Sequence, residues 1–315
     1  MTQPIASASA IVITPSVLSQ SMIDQLTADQ GNLAQIEQQV STGNRIISPS
    51  DDPSGASDML QLQGAVTRAN QYAANAADGA SRLQLANSTV NSALSTLQSL
   101  QSTLNGLTGN LLTGSASVLQ GTAQQVTGTL QSLVGLANTS YAGGQPIFAG
   151  TGNATEAYDA TGTYVGAGSA PTRTVAPGTQ VSAGTTGPQV FGTGSTGLLG
   201  QVPGSLGVLA QLVQDLQTGT PASLAAVIST DIPNFNTAIT NMEGAAGALG
   251  AQQQSMQTFT VQAQQSSTAV EGQLSSIQSV NMAQALTDLQ LQNSAYQSAL
   301  YATSQIDANS LVKYL

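Results

Sequence analysis

Residues 83–111 read LQLANSTVNSALSTLQSLQSTLNGLTGNL, a stretch in which an apolar residue returns every seven positions. One row of this period consists of Leu83, Val90, Leu97, Leu104 and Leu111, and a second row, three positions further along, consists of Ala86, Ala93, Leu100 and Leu107. Two such rows form a narrow apolar stripe that packs along a partner helix. The pattern predicts a helix over residues 78–112, about 52 Å long at about 1.5 Å per residue, which is longer than a compact domain needs.

The N-terminal part of the chain carries a similar row. Residues 16–41 predict a helix, and residues 41–44 predict its end, with Gly43 in the left-handed conformation. The row is interrupted only by Asp29, and it consists of Met22, Leu26, Leu33, Ile36 and Val40. Burying five such side chains is worth roughly 8–15 kcal/mol, whereas ordering this backbone costs about 26–50 kcal/mol. We therefore expect the segment to become ordered only where its row is covered by other chains or by a partner helix.

The C-terminal part repeats the same spacing and then changes phase. Apolar residues recur every seven positions at Leu249, Met256, Ala263, Val270 and Ile277. The phase shifts near residues 280–282, and a last row follows with Leu286, Leu289, Tyr296, Leu300, Leu311, Tyr314 and Leu315. The rows at the two ends of the chain predict antiparallel pairing of the terminal helices and, together, a surface through which copies of the chain assemble.

The middle of the chain has a different composition. Residues 141–204 hold nearly half of the 32 glycines, and short apolar runs around Tyr158, Tyr164, Val175, Val181 and Val190-Phe191 predict strands separated by turns. A disordered linker is the alternative. The predicted fold is mainly α with a β insert, built from long antiparallel helical rods. The predicted segments are 1–41 with 280–315 (terminal coiled coil), 42–140 with 205–279 (helical rod) and 141–204 (β-rich outer domain).

The composition excludes several classes of function. The chain has no His and no Cys, which removes Ser-His-Asp and Cys-His catalysis, thiolate and imidazole metal sites, and disulfides. Five basic against fifteen acidic residues predict neither nucleic acid nor an anionic membrane as a partner. The carboxylates of Glu156 and Asp159 lie in a glycine-rich segment without signs of a pocket, so we expect no enzyme and no cofactor. Aromatic residues make up only 3%, which predicts no core of interlocking rings.

Two further expectations concern charged groups and the start of the chain. Asp51, Asp52 and Asp58 lie close together in sequence, and they suit helix capping and pairing with Arg45 better than a cation site, because the spacing of a calcium loop is missing. For Arg45, Arg68 and Arg82, salt bridges between subunits and solvated surface positions are both open. Residues 1–15 lack the basic start of a secretory signal peptide, so no cleaved signal is expected.

The segment between the first two predicted helices carries a recognisable motif. Residues 41–53 read STGNRIISPSDDP, and after a heptad helix this resembles the N-terminal motif of the flagellin superfamily. The motif residues are Ser41, Thr42, Gly43, Arg45, Ser50, Asp51, Asp52 and Pro53. The Ser-Asp-Asp-Pro form is similar to the hook-associated protein 3 branch, whose members join hook and filament. Segments 143–151, 164–166, 186–192 and 302–315 resemble the same family.

The resemblance implies an extracellular structural protein of the bacterial flagellum. It implies type III export without a cleaved signal peptide and self-assembly into a ring. It also implies contacts with hook-associated protein 1 and flagellin, and a flagellar export chaperone that shields the C-terminal helix. Two alternatives are a flagellin filament subunit and, from a different class, a secreted adhesin or type III effector whose β unit binds a host ligand.

Overall fold

The structure is a computed structural model that describes residues 15–107, 116–193, 196–200 and 206–312. The chain divides into two compact units: unit 1 consists of Met1–Val66 and Thr268–Leu315, and unit 2 of Thr67–Ser267. The predicted fold class is confirmed, because long helices pack against each other and a small antiparallel β region lies in the middle of the chain. The division into three sequence segments stays a prediction.

The helices of the described residues are α1 (Pro15–Thr42), α2 (Pro53–Leu107), α3 (Ala116–Ala137), α4 (Gly187–Phe191), α5 (Val208–Thr218), α6 (Pro221–Ala226), α7 (Ile232–Gln278) and α8 (Met282–Val312). A short π-helical segment, Val227–Asp231, lies between α6 and α7. The long helices α2 and α7 each contribute residues to both units. No helix among the described residues has both the length and the apolar character that crossing a lipid bilayer requires.

The core of unit 2 is built on the seven-residue rows of α2. Every described member of both rows is at least nine-tenths buried, from Leu83 to Leu107, while Leu111 lies outside the described residues. The helix α7 runs antiparallel to α2, since Ser267 donates to the side chain of Asn70 and Gln101 donates to Asn236 near the other end. The prediction of an extended helical pair from the heptad spacing is therefore confirmed.

The insert between α3 and α5 contains two small antiparallel sheets. Strands β1 (Ser140–Tyr141) and β2 (Gln145–Pro146) form one of them, and strands β3 (Thr172–Ala176) and β4 (Thr179–Ser182) form the other. Tyr158 and Tyr164 pair in an isolated antiparallel bridge. Strand structure around Val175 and Val181 is thus confirmed.

Two predictions about the insert are wrong. Val190 and Phe191 lie in the helix α4, not in a strand, because the side chains of Thr186 and Gln189 form a capping box and Pro188 stands in the first turn. A ring cluster is also present: the rings of Phe148 and Tyr158 each meet that of Phe191 edge-on, with centroids 5.5 Å apart. A low overall aromatic content does not prevent a few rings, distant in sequence, from meeting in one place.

Candidate assembly interface

The loop between α1 and α2 is fixed to the break between α7 and α8. Helix α1 ends at Thr42, and Gly43 follows in the left-handed conformation at φ +71°, as predicted. The carbonyl of Gly43 accepts a hydrogen bond from the amide of Val280 at 2.9 Å, and the amide of Arg45 donates to the carbonyl of Gln278 at 2.7 Å. Backbone hydrogen bonds therefore hold the end of α1 against the end of α7 and the start of α8.

The Arg45 side chain adds a second layer of contacts at this junction. Its Nε donates to the carbonyl of Ile277 at 3.3 Å, and its Nη2 lies 3.1 Å from Oδ2 of Asp52. The backbone carbonyl of Arg45 in turn accepts from the side-chain Nε2 of Gln39 at 2.9 Å. The ion pair is partly exposed, and such pairs add little stability. Its consequence is positional: it holds the start of α2 beside the end of α7.

Asp52 caps α2, as the sequence predicts, and Pro53 is the first helical residue. Oδ1 of Asp52 accepts from the backbone amide of Gly55 at 2.9 Å and from the hydroxyl of Ser54 at 2.8 Å. These hydrogen bonds, followed by the one from Arg45, lower the pKa of Asp52 to about 2. The stabilisation from this carboxylate is therefore present above about pH 4 and is lost as the pH falls through 2.

The remaining motif residues shape the loop itself. Oδ2 of Asp51 accepts from the amides of Ile47 and Ser48 at 3.1 and 2.8 Å, and the hydroxyls of Ser48 and Ser50 lie 2.7 Å apart. The hydroxyl of Thr42 accepts from the amide of Asn44, while Ser41 and Asp58 are exposed. Within the described ranges, no three His, Cys, Asp or Glu side chains are close enough to hold a metal ion.

Gly55 allows the loop to approach α2 closely. A Cβ atom at this position would come within 2.6 Å of Cδ1 of Ile46 and 2.5 Å of Oδ2 of Asp52. Ile46 is buried as a result, at 7% exposure. Neither Ile46 nor Gly55 was predicted as a site residue, although Ile46 lies within the quoted motif and Gly55 lies two residues after it.

The N-terminal row faces α8. All five of its predicted members, from Met22 to Val40, are half-buried. Asp29, the polar member of the same row, has a hydrogen-bond partner on α8. The side-chain Nε2 of Gln292 donates to the backbone carbonyl of Asp29 at 3.4 Å and to its Oδ1 at 3.3 Å. Since Gly43 meets Val280 while Asp29 meets Gln292, α1 and α8 run antiparallel.

The row of α8 that faces α1 is only partly the predicted one. Leu289 and Tyr296 are half-buried, whereas Leu286 and Leu300 are 48% and 44% exposed. The side chain of Leu311 and the whole of Tyr314 and Leu315 lie outside the described residues. Of the two polar residues expected in this row, Thr303 is half-buried and Asn293 is exposed, and sequence analysis missed Ala285, Gln292 and Ala299, which complete the packed row.

Packing of α1 on α8 leaves many large apolar side chains in contact with solvent. Among the described residues, the terminal helices expose Val17, Ile23, Met282, Leu286, Leu291, Leu300 and Tyr301, which we call the terminal apolar surface. Unit 2 is the larger unit, and the large apolar side chains it exposes among its described residues are Val118, Val165, Leu206 and Val261. Single exposed apolar residues are normal, but a concentration on one pair of helices indicates an interaction surface.

Of the three arginines considered for salt bridges between subunits, one is buried within the chain. Arg82 is 6% exposed, so neither of its two sequence-based interpretations is correct. It lies in unit 2, where its Nη2 donates to the carbonyl of Ile147 and its guanidinium stands 6.0 Å from the centre of the Tyr141 ring. Burial, followed by the charge of Arg173, lowers the pKa of Arg82.

Family comparisons match both helical ends of the chain. The bacterial flagellin N-terminal helical region matches residues 13–153, and the bacterial flagellin C-terminal helical region matches residues 232–315. The two matches together cover more than half of the sequence. The chain belongs to the flagellin superfamily. No curated protein matches it in sequence. The matching regions of this flagellin-family chain are structural, and no catalytic family is indicated.

Solved structures share the fold of this flagellin-family chain. A protein from Vibrio parahaemolyticus, described as a flagellar hook-associated protein, is 20% identical with a TM-score of 0.60, and the match covers 73% of this chain and 100% of that one. FlgL from Bacillus cereus is 21% identical (TM-score 0.53; 68% and 99%). FlgL from Xanthomonas campestris is 17% identical (TM-score 0.56; 68% and 99%).

Replacing Arg45 with Met is expected to loosen the helix junction without unfolding the flagellin-family chain. The amide of Val280 should exchange its hydrogen about tenfold faster, as expected for the loss of about one hydrogen bond's worth of local stability. Hydrogen exchange measured by mass spectrometry on peptides spanning residues 275–285 checks this. Arg68→Met, at an exposed position of α2, is the control, and equal exchange in both variants would contradict the positional role of Arg45.

Proposed function

We propose that this chain joins the hook of the bacterial flagellum to the flagellin filament. In this role it binds hook-associated protein 1 on one side and the first flagellin subunits on the other, through coiled-coil assembly of its terminal helices. The terminal segments 1–41 and 280–315 make these contacts, while 42–140 with 205–279 form the rod and 141–204 the outer domain. Its site of action is extracellular, after type III export without a cleaved signal.

The terminal apolar surface is the observation on which this proposal depends. A helical pair that buries only a narrow row needs further helices against its flanks, because exposed side chains such as Leu286 and Leu291 gain free energy when covered. Contacts made by different faces of one subunit do not close on themselves, so they extend along an axis. This is the behaviour that a flagellar building block requires.

The scarcity of charge supports the same interpretation. Only 6% of the residues are charged, and the one ion pair at the helix junction, Arg45 with Asp52, is internal to the chain. Contacts between subunits must then depend mainly on apolar packing and on hydrogen bonds of Gln, Asn, Ser and Thr. Packing of this kind accepts small displacements between neighbours more readily than fixed ion pairs do, which suits a junction that transmits rotation.

Two segments of the sequence favour a junction protein over a filament subunit. The Ser-Asp-Asp-Pro form at residues 50–53 and the end of the chain at residues 302–315 resemble the junction branch. The same apolar surface would also need shielding before export. We therefore include a flagellar export chaperone, bound to the C-terminal helix, among the proposed partners.

Deleting the gene in the source bacterium is expected to stop filament growth at the hook. Electron microscopy should show bare hooks, with unassembled flagellin in the medium. Antibodies against the chain should label only the boundary between hook and filament in cells that carry the gene. Labelling along the whole filament would instead identify a flagellin, and normal filaments on the knockout's hooks would favour a secreted adhesin or effector.

A further inference from the structure

A buried acid lies at the turn that leads into the long helix α7. Asp231 is the last residue of the π-helical segment Val227–Asp231, and it is only 4% exposed. Its Oδ2 has no hydrogen-bond partner among the described residues. Leaving a buried carboxylate oxygen unpaired costs free energy, so this group needs either a proton or a counter-ion.

The nearest ionisable group is a second acid. Helix α5 packs against the π-helical segment, and the carboxyl group of Asp215 lies within hydrogen-bonding reach of that of Asp231. The side-chain Nε2 of Gln211 donates to Oδ2 of Asp215 at 3.0 Å, which fixes the orientation of the Asp215 side chain. The two acids are therefore held against each other by elements of the core of unit 2.

Within the part of the chain that the structure describes, no basic group faces this pair. Asp215 and Asp231 themselves are the only titratable side chains on α5, α6 and the π-helical segment, and α3, which packs on α5, has none. The first charged residue of α7 is Glu243, three turns further on, and residues 83–107 of α2 carry no charge. The arginines of unit 2 other than Arg68 lie around Asp78, where Arg173 pairs with it at 2.8 Å.

Two carboxylates this close in a buried place cannot both be ionised at low cost. Burial first, and then the charge and hydrogen bond of Asp215, raise the pKa of Asp231 to about 7. A proton held between the two carboxyl groups would remove one of the two negative charges from this buried place.

We propose that the folded chain holds one proton between the carboxyl groups of Asp215 and Asp231, so that unit 2 takes up a proton on folding and is stabilised by mild acid. In the unfolded chain Asp231 titrates near its ordinary pKa of 3.8. The stabilisation is therefore complete below about pH 4, decreases as the pH rises from 4 to 7, and is lost above 7. Within that window the unfolding equilibrium constant should rise about tenfold per pH unit.

Other acids of the chain act in the opposite direction. The pKa of Asp159 is lowered by hydrogen bonds from Thr161 and Thr163, as that of Asp52 is by its capping bonds. Their stabilisation appears above about pH 4. The contribution of the acid pair must therefore be measured as a difference between the wild type and a variant, not from the wild-type profile alone.

Asp231→Asn is the central test, because the amide resembles the protonated acid and cannot ionise. Urea unfolding of the full chain between pH 4.5 and 8 should show a variant that is more stable than the wild type at pH 8, by a factor of about 100 or more in the unfolding constant. The difference should shrink towards pH 4.5. Thr230→Asn, at the exposed neighbouring position, is the matched control and should keep the wild-type profile.

Parallel stability profiles for the wild type and Asp231→Asn would overturn the proposal. If the variant does not fold, carboxyl-carbon NMR of the wild type decides: an aspartate titrating near pH 7 supports the shared proton, and its absence overturns it. Adding millimolar calcium at pH 8 tests whether the acid pair binds a cation instead of a proton. If calcium stabilises the wild type but not Asp215→Asn, the pair holds a cation and the proposal is wrong.

Discussion

A chain carrying both Leu286→Glu and Leu300→Glu is expected to fold as the wild type does and to fail in assembly. Both side chains are nearly half exposed in the single chain, so glutamate costs little on folding. Where a neighbouring subunit covers them, an unpaired carboxylate must lose its water, which costs several kcal/mol per group. The few basic residues of the chain offer no compensating partner.

Two measurements check this expectation. Circular dichroism and urea unfolding of the purified chain should remain within about 0.5 kcal/mol of the wild type, as is usual for exposed positions. In a strain without the chromosomal gene, the double variant should leave hooks bare even though it is exported, and it should appear in the medium. Restored filaments would show that this side of α8 is not covered in the assembly.

The control for added charge is Ser95→Glu with Ser99→Glu on α2. Both serines are exposed, lie in unit 2 and do not belong to the terminal apolar surface. This variant adds the same charge and should support filament growth. Failure of the control would mean that net charge, and not the terminal apolar surface, prevents assembly.

The packing of unit 1 explains why folding and assembly are separable. Each of the helices α1 and α8 turns a single row of side chains towards the other helix. The side chains on either side of that row remain exposed. The single chain therefore has enough contact to place its terminal helices side by side, with Asp29 and Gln292 fixing their register through a hydrogen bond. The free energy of burying the terminal apolar surface is gained only when helices of other chains cover it.

Local patterns in the sequence predicted the elements and most of the core. The heptad rows of α2 are buried as expected, because a row that returns every seven positions must lie on one side of a helix. Gly43, Asp52 and Pro53 act where their chemistry predicts, at the end of one helix and the start of the next. The phase shift near residues 280–282 is a real break, and Asn281 caps α8 by accepting from the amide of Gln284.

The register of α8 could not be predicted from the spacing alone. Leu286 and Leu300 satisfy the seven-residue period as well as Ala285 and Ala299 do, and the larger residues were the natural choice. The structure turns the small ones towards α1, with Ala285 buried and Ala299 half-buried, because alanine lets two helix backbones approach. Distinguishing the two rows requires knowledge of what covers the other side of the helix, and a single sequence does not contain it.

Contacts between residues far apart in sequence were also beyond prediction. The ring cluster joins Phe148, Tyr158 and Phe191 from three separate segments of the insert. The acid pair joins Asp215 and Asp231 only because α5 folds back on the π-helical segment. Neither has a period or a motif. Each depends on how the insert and the short helices pack, which is decided by the whole core of unit 2.

Gly207→Ala is expected to destabilise unit 2 by about 1–3 kcal/mol, the usual cost of overpacking, or more. A Cβ atom at this position would lie 2.5 Å from the carbonyl oxygen of Leu198 and 2.6–2.7 Å from the carbonyl carbon and Cα of Leu199. All of these atoms are backbone, so no side-chain rotation relieves the clash. Gly207 has an ordinary φ of −74°, so the loss would be steric and not conformational.

Movement of the backbone away from this clash would break hydrogen bonds at the start of α5. The amide of Val208 donates to the carbonyl of Gly197 at 2.8 Å, and the amide of Gln211 donates to the carbonyl of Gly207 at 3.0 Å. The start of α5 and the last described segment of the insert are thus tied at the point where the clash would occur. Separating them would also disturb the packing of α5 on α3.

Gly128→Ala is the matched control with the opposite sign. Gly128 lies inside α3, and a Cβ there would meet no atom within 4 Å, so alanine should stabilise the helix by about 0.5–1 kcal/mol. Urea unfolding followed by circular dichroism measures both variants against the wild type. If Gly207→Ala is as stable as Gly128→Ala, the close approach of Leu198 and Leu199 to α5 does not exist in solution, because no rearrangement could otherwise accommodate the methyl group without loss.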